Sequence, residues 1–280
     1  MQNVYYIDGD FVTSDDARLP VADLAVLRGY GVFDFMRTYG GQPFHLDAHL
    51  DRLLRSAEQI DLDVPWTHAE LRAIVEATVE RNDHAESNVR IVLTGGATDD
   101  FITPLNQPRL MVLVTPAALP PAHYYTDGVK IITERTERYL PGAKTLNYIP
   151  AIRALKRARA ADAIEAIYVD AQGRASEGTT TNLFAFFGDT LVTAGEGVLP
   201  GITRSVVLQL AADIFSVQQR DLPLSELLTA DEVFITSSNK QVMPVVQIDA
   251  TRIADGVPGV RTRRLMQRFT ETVADAVVRE

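Results

Sequence analysis

Cysteine is absent from all 280 residues. That removes disulfide staples, thiolate metal sites and cysteine nucleophiles at once. Lysine is nearly absent: of 27 basic residues only Lys130, Lys144, Lys156 and Lys240 are lysine, and the rest are arginine. Arginine keeps its charge and forms no Schiff base at neutral pH, so any amine chemistry falls on one of four side chains. No apolar run approaches the roughly eighteen residues that a membrane span needs. Met1 to Asp10 lacks the basic-then-apolar order of a signal peptide, so a cytoplasmic protein is expected. Positive charge is also in deficit: the formal net charge is -10. Nucleic-acid backbones are bound by clustered Lys and Arg, so this balance points instead to small-molecule partners.

What is present, 46% hydrophobic side chains over 280 residues, suits a folded chain of two modest domains. Val4 to Ile7 and Phe11 to Thr13 flank an Asp-Gly-Asp turn and read as a hairpin. A strand follows at Gly31 to Tyr39, and Leu46 to Ile60 shows apolar residues at helical spacing. Thr67, with Glu70 three residues on, predicts a capped second helix to about Arg81. Val89 to Thr94 and Arg109 to Thr115 are β-branched strand-like runs. The proline-bearing stretch Ala117 to Ala122 reads as a linker and places a boundary near 120. Beyond it come strands at Gly128 to Glu134, Ala166 to Asp170, Leu183 to Phe187, Thr190 to Thr193 and Glu232 to Thr236. Helices are predicted at Pro150 to Ala163, Thr203 to Ile214 and Thr262 to Val278. This irregular mixture predicts an α+β protein rather than a doubly wound parallel sheet.

Lys144 lies in Pro141-Gly142-Ala143-Lys144-Thr145-Leu146-Asn147-Tyr148, between a turn and a helix, where a side chain can enter a cleft. A lysine amine is nucleophilic only when deprotonated, which a partly desolvated site favours. Glu177 precedes the small polar run Gly178-Thr179-Thr180-Thr181-Asn182, a setting for a partly buried acid. Leu199-Pro200-Gly201-Ile202-Thr203-Arg204 opens a helix whose free N–H groups and dipole favour an anion. Thr236-Ser237-Ser238-Asn239 offers further donors, and Arg52 offers positive charge. Each has a plainer reading when taken alone: a solvated lysine, a strand-end glutamate, an ordinary helix start, a surface arginine. His45 and His49 are four apart but lack the HExxH pattern, and no metal is expected.

Together these segments resemble the class IV aminotransferase family, the fold-type IV pyridoxal-phosphate enzymes, from about residue 3 to 275. The matching stretches are His49-Leu50-Asp51-Arg52-Leu53, Lys144 to Tyr148, Glu177 to Phe184, and Leu199 to Arg204. The resemblance implies a small N-terminal α/β domain over 1–119. It implies a larger cofactor-binding domain over 120–280 with a barrel-like sheet. It further implies pyridoxal 5'-phosphate held as a Schiff base on Lys144, which also shuttles the proton in a ping-pong exchange. Glu177 would pair with the pyridine nitrogen, Tyr148 would approach the ring's O3′ oxygen, and Arg52, Ile202, Thr203 and Ser238 would bind phosphate. A homodimer acting on amino acids and 2-oxo acids is implied as well.

The substrate motifs match less well. Branched-chain enzymes of the family usually carry Phe-Glu-Gly-x-Arg on the first long strand, whereas this chain reads Phe33-Asp34-Phe35-Met36-Arg37. D-amino acid enzymes usually place a tyrosine at Phe33, and an Arg and a His in the loop that here runs from Gly95 to Phe101 with neither. Arg28 is the candidate for holding a substrate carboxylate, since a guanidinium matches it with two parallel hydrogen bonds. Arg37, Arg90 and Lys240 are alternatives, and Phe33 would line the pocket. A D-amino acid donor is expected ahead of a branched-chain L-amino acid. An (R)-amine transaminase or an aminodeoxychorismate lyase stands behind both.

Overall fold

The computed structural model describes residues 2–279. The chain divides into two compact units. One comprises the chain up to Ala118 together with Gly142–Asn147, and the other comprises Leu119–Pro141 and the chain from Tyr148 onward. The segment bearing Lys144, although it follows position 120, therefore belongs with the N-terminal half.

In the first unit, β1 (Val4–Ile7) and β2 (Asp10–Thr13) form the expected hairpin, turned by Asp8 and Gly9 at φ 49 and 109. A short helix α1 (Leu24–Arg28), capped by the Asp23 carboxylate, precedes β3 (Gly31–Tyr39) and β4 (Gln42–Pro43). Then come α2 (Leu46–Glu58), α3 (His68–Glu80), β5 (Ser87–Thr94) and β6 (Arg109–Pro116). α3 begins with the reciprocal Thr67–Glu70 capping box, which satisfies two N–H groups that a helix start leaves open. Among the described residues the strands make one sheet in the order β2-β1-β6-β5-β3-β4.

Strand side chains alternate between faces. On β3 the buried residues Val32, Asp34, Met36 and Thr38 share one face, and Val32 and Met36 join Leu46, Leu50 and Leu53 of α2 in the core. Full burial of a leucine contributes roughly 1.5–3 kcal/mol, so Leu50 and Leu53 hold α2 firmly on the sheet. Asp34 is thereby carried into a hydrophobic interior, where a carboxylate survives only with partners.

The second unit opens with α4 (His123–Thr126), β7 (Val129–Arg135), α5 (Ile149–Ala160), β8 (Glu165–Val169) and β9 (Ala175–Gly178). It continues through β10 (Asn182–Phe187), β11 (Thr190–Thr193), α6 (Ile202–Ala212), β12 (Ser216–Gln219) and α7 (Leu224–Leu227). It ends with β13 (Glu232–Ser237), β14 (Gln241–Ile248), β15 (Thr251–Arg252) and α8 (Val260–Arg279). The strand path runs β12-β11-β10-β13-β14-β7-β8-β9, and β9 also pairs with β10. That last pairing, Glu177 opposite Asn182, closes β9, β10, β13, β14, β7 and β8 into a ring of six, which is the barrel-like sheet expected for this half. Closure also removes the open edges that a flat sheet would expose. Fully buried Phe184 and Phe234 stack with centroids 4.8 Å apart inside this unit.

Among the described residues no helix is long and apolar enough to cross a membrane.

Candidate functional site

In the first unit, Gly142–Asn147 docks on the edge of β3 that β5 leaves open. Phe33 N–H donates to the Lys144 carbonyl (2.9 Å), Leu146 N–H donates to the Gly31 carbonyl (3.0 Å), and Thr145 bridges Val32. Gly31 is required here, because a Cβ would run into the Leu93 carbonyl and the Leu146 side chain. The Lys144 amine stands over the Phe33 ring, 4.7 Å from its centroid. Phe33 and Phe35 share the β3 face opposite Asp34, and the Arg90 guanidinium lies 5.0 Å and 5.5 Å from their centroids. The Phe33 ring is thus approached by two cationic side chains, Lys144 and Arg90.

Beneath β3, α2 presents His49 and Arg52, three residues apart and so on one face. Asp34, 0% exposed, accepts from Arg52 Nε (2.8 Å) and Nη2 (2.7 Å), and lies 2.6 Å from His49 Nδ1. Burial pushes the Asp34 carboxyl up, but Arg52 and His49 outweigh it and hold it well below the ordinary carboxylate range. Burial also lowers His49, against the attraction of Asp34 and with help from the charges of Arg52 and Lys144. At neutral pH the group is an Asp–Arg ion pair beside a neutral imidazole donating from Nδ1.

The second unit carries the acid. Glu177, 3% exposed on β9, accepts from Arg138 Nη1 (2.9 Å), the Leu199 N–H (2.9 Å) and Asn182 Nδ2 (3.2 Å). Three donors thus converge on one buried carboxyl group. Asn182 also donates to the Leu199 carbonyl (2.9 Å), which ties the acid to the segment leading into α6. Gly201 is the N-cap of α6 with no side-chain cap bond, so the first N–H groups, including those of Ile202 and Thr203, meet no capping side chain. A Cβ at Gly201 would collide with the Asn182 carboxamide oxygen. Thr236, opposite Asn182 on β13, has a buried hydroxyl with no hydrogen-bond partner among the described residues.

Of the other expected residues, Tyr148 is the N-cap residue of α5, and Ser238 lies in the turn between β13 and β14. Lys240 in the same turn donates to Thr180 Oγ1 (2.8 Å) and lies 3.7 Å from Glu165, a buried carboxylate that also accepts from Thr179 and Thr180. Arg28 is exposed in the last turn of α1, with Nη1 donating to the Leu27 carbonyl (2.8 Å). Sequence reasoning missed Arg138, Asp34 as the partner of Arg52, and Glu165. Their partners are distant in the chain, and only the unusual position of Asp34, a charge inside an apolar strand, offered a signal.

A family model described as amino-transferase class IV matches residues 31–248. A putative branched-chain-amino-acid aminotransferase of Methanocaldococcus jannaschii is 34% identical over 276 residues, covering 95% of each chain. A D-alanine aminotransferase of Listeria monocytogenes is 32% identical over 278 residues, covering 96% of each. Among solved structures, a branched-chain amino acid aminotransferase from the organism abbreviated T.th., in complex with pyridoxamine 5'-phosphate, superposes with a TM-score of 0.92 at 29% identity, covering 98% of this chain and 94% of that one.

Proposed function

The chain belongs to the class IV aminotransferases, fold-type IV enzymes that depend on pyridoxal phosphate, and from that membership we propose that it transfers an amino group from a D-amino acid to a 2-oxo acid, with Lys144 carrying the cofactor.

The residues fit the group. Glu177 is a buried acid that accepts from three donors and is assigned to the pyridine nitrogen. The side-chain-free cap of α6 leaves the N–H groups of Ile202 and Thr203 to receive phosphate, with Arg52 and Ser238 as further donors. Tyr148 is assigned to the ring hydroxyl. When bound, the protonated ring supplies the electron sink for the negative charge left at the substrate Cα. Lys144 Nζ takes the Cα proton and later gives one back, acting as base and then as acid. The Phe33 ring packs beneath the amine and covers one side of it. Arg28 is assigned to the substrate carboxylate. Lys240, paired with Glu165 and Thr180, is a second candidate for binding the substrate. A homodimer acting in the cytoplasm completes the reading.

The observation that carries the donor preference is Phe35. Branched-chain enzymes usually have glycine there, which leaves open the strand face shared with Phe33. In this chain a phenyl ring stands there, with the Arg90 guanidinium 5.5 Å from its centroid. The Listeria relative, named for D-alanine, agrees with this reading. The Methanocaldococcus relative favours the second reading, a branched-chain L-amino acid donor.

Half-reactions of the loaded enzyme with D-alanine, D-glutamate, L-leucine and (R)-1-phenylethylamine, followed by cofactor absorbance, test the proposal. D-Alanine or D-glutamate should convert the cofactor fastest. Fastest conversion by L-leucine overturns the D preference, and conversion by the amine alone overturns the carboxylate-binding role of Arg28. Borohydride reduction and peptide mapping should find the label on Lys144.

A further inference from the structure

The backbone of Lys144 is held from two sides. Its carbonyl accepts from Phe33 N–H on β3, and its N–H donates to the hydroxyl of Ser56 on α2 (3.1 Å). Ser56 is fully buried, and its Oγ donates in turn to the Arg52 carbonyl one helical turn back (2.7 Å). A serine inside a helix commonly donates to the carbonyl four residues earlier, which leaves its oxygen free to accept. Here that acceptor is used by the one N–H that fixes where the Lys144 Cα sits. Two hydrogen bonds thus link the lysine backbone to the backbone of Arg52. A change at Ser56 would alter the register between the amine and the guanidinium without removing either. The neighbouring contacts agree: a Cβ on Gly142 would press on Gln59 at the end of α2, so the whole approach of the lysine segment is fitted to the last turn of that helix.

We propose that Ser56 is a positioning residue for the Lys144 amine, acting through the lysine's own backbone N–H. The inference rests on the reading of Lys144 as the cofactor-bearing lysine. Loss of the hydroxyl takes the Ser56 acceptor from that part-buried N–H, and the segment relaxes toward other partners. Misplacing a reacting group by about 1 Å is enough to slow a reaction about a hundredfold while leaving binding groups in place.

The test compares the unaltered protein with Ser56→Ala, Ser56→Cys and Ser56→Thr. Three quantities are read: the rate at which the cofactor-free protein joins pyridoxal phosphate, followed by absorbance; the labelled position after borohydride reduction; and kcat against KM with the best donor. Ser56→Ala should still be labelled at Lys144. It should join the cofactor about tenfold or more slowly and lose about ten- to a hundredfold in kcat, with KM changed by no more than about twofold. Ser56→Thr, which keeps the hydroxyl, should restore most of the joining rate. Ser56→Cys, of nearly the same shape with a weaker acceptor, provides the comparison should the alanine variant accumulate unfolded. A joining rate and kcat unchanged in both the alanine and the cysteine variants overturn the proposal, as does a fall in thermal midpoint with both rates intact. Labelling elsewhere than Lys144 in the unaltered protein is a separate failure, that of the lysine assignment itself.

Discussion

Replacing Asp34 by asparagine keeps the shape and removes the charge. In the folded protein Asp34 is fully buried, and its carboxylate accepts from both Arg52 and the Phe35 N–H (2.7 Å) while lying against His49. Arg52 is itself only 4% exposed, so the variant strands a buried guanidinium without its counter-charge. Unit charges 2.7 Å apart attract by about 6 kcal/mol at an effective dielectric of about 20. Breaking one partner of such a pair destabilises by roughly 3–5 kcal/mol, because desolvation of the survivor is no longer offset. The sole tryptophan, Trp66, packs against the core of the first unit and reports on it by fluorescence. Urea unfolding of Asp34→Asn should show a lower midpoint, an unchanged slope and a loss in that range. The folded Asp34 pKa lies below its ordinary value of 3.8, so its contribution is complete above that pH and disappears as pH falls toward the depressed value. The difference between variant and parent should therefore be constant from about pH 5 to 8 and shrink below about pH 4. Asp34→Asn combined with Arg52→Met should cost less than the sum of the two single changes. A loss below about 1 kcal/mol for the single variant, or strict additivity in the double, refutes the buried-pair argument.

The His49 pKa is lowered by burial, so below the ordinary histidine value of 6.5 the unfolded chain binds a proton that the folded one does not. Stability should fall on acidification from about pH 6.5, by up to about 1.4 kcal/mol per unit from this residue, and His49→Gln should flatten urea midpoints across that window. His45, also lowered by burial, leaves a residual slope. Glu177→Gln should retain bound cofactor yet slow the half-reaction by about a hundredfold or more, measured by stopped-flow absorbance, because a neutral amide does not hold a proton on the pyridine nitrogen. Undiminished rates would remove Glu177 from the mechanism. Gly201→Ala should displace the Asn182 carboxamide, cost about 1–3 kcal/mol in thermal or urea unfolding, and weaken cofactor retention on dialysis.

Local signals were legible wherever a few adjacent residues decide the outcome. The Thr67–Glu70 pair starts α3 as expected, and Asp8–Gly9 turns the first hairpin. The apolar spacing after Leu46 becomes the buried face of α2. Elements whose stability comes from distant partners were not legible. α1 is five residues long and held by Asp23, which also bonds Thr94 across the fold. β14 contains Pro244, a residue that argues against a strand, yet β14 pairs with β7 only from Val245 onward, so the missing N–H costs no bond to β7. β9 is four residues of mixed polarity, and it becomes a strand because β8 and β10 flank it.

By itself the sequence determined the chemistry available: a chain with four lysines and no cysteine, an amine after a turn, an acid before a small polar run, and a helix start open to an anion. Those are properties of residue type and short spacing. Tertiary structure decided which groups act on one another. The pairing of Glu177 with Arg138, the burial of Asp34 between His49 and Arg52, and the hold of Ser56 on the Lys144 backbone each join residues far apart in the chain. Such contacts exist only where the core brings them together, because a buried charge or N–H takes whichever partner the fold delivers, and spacing along the chain carries no record of that delivery.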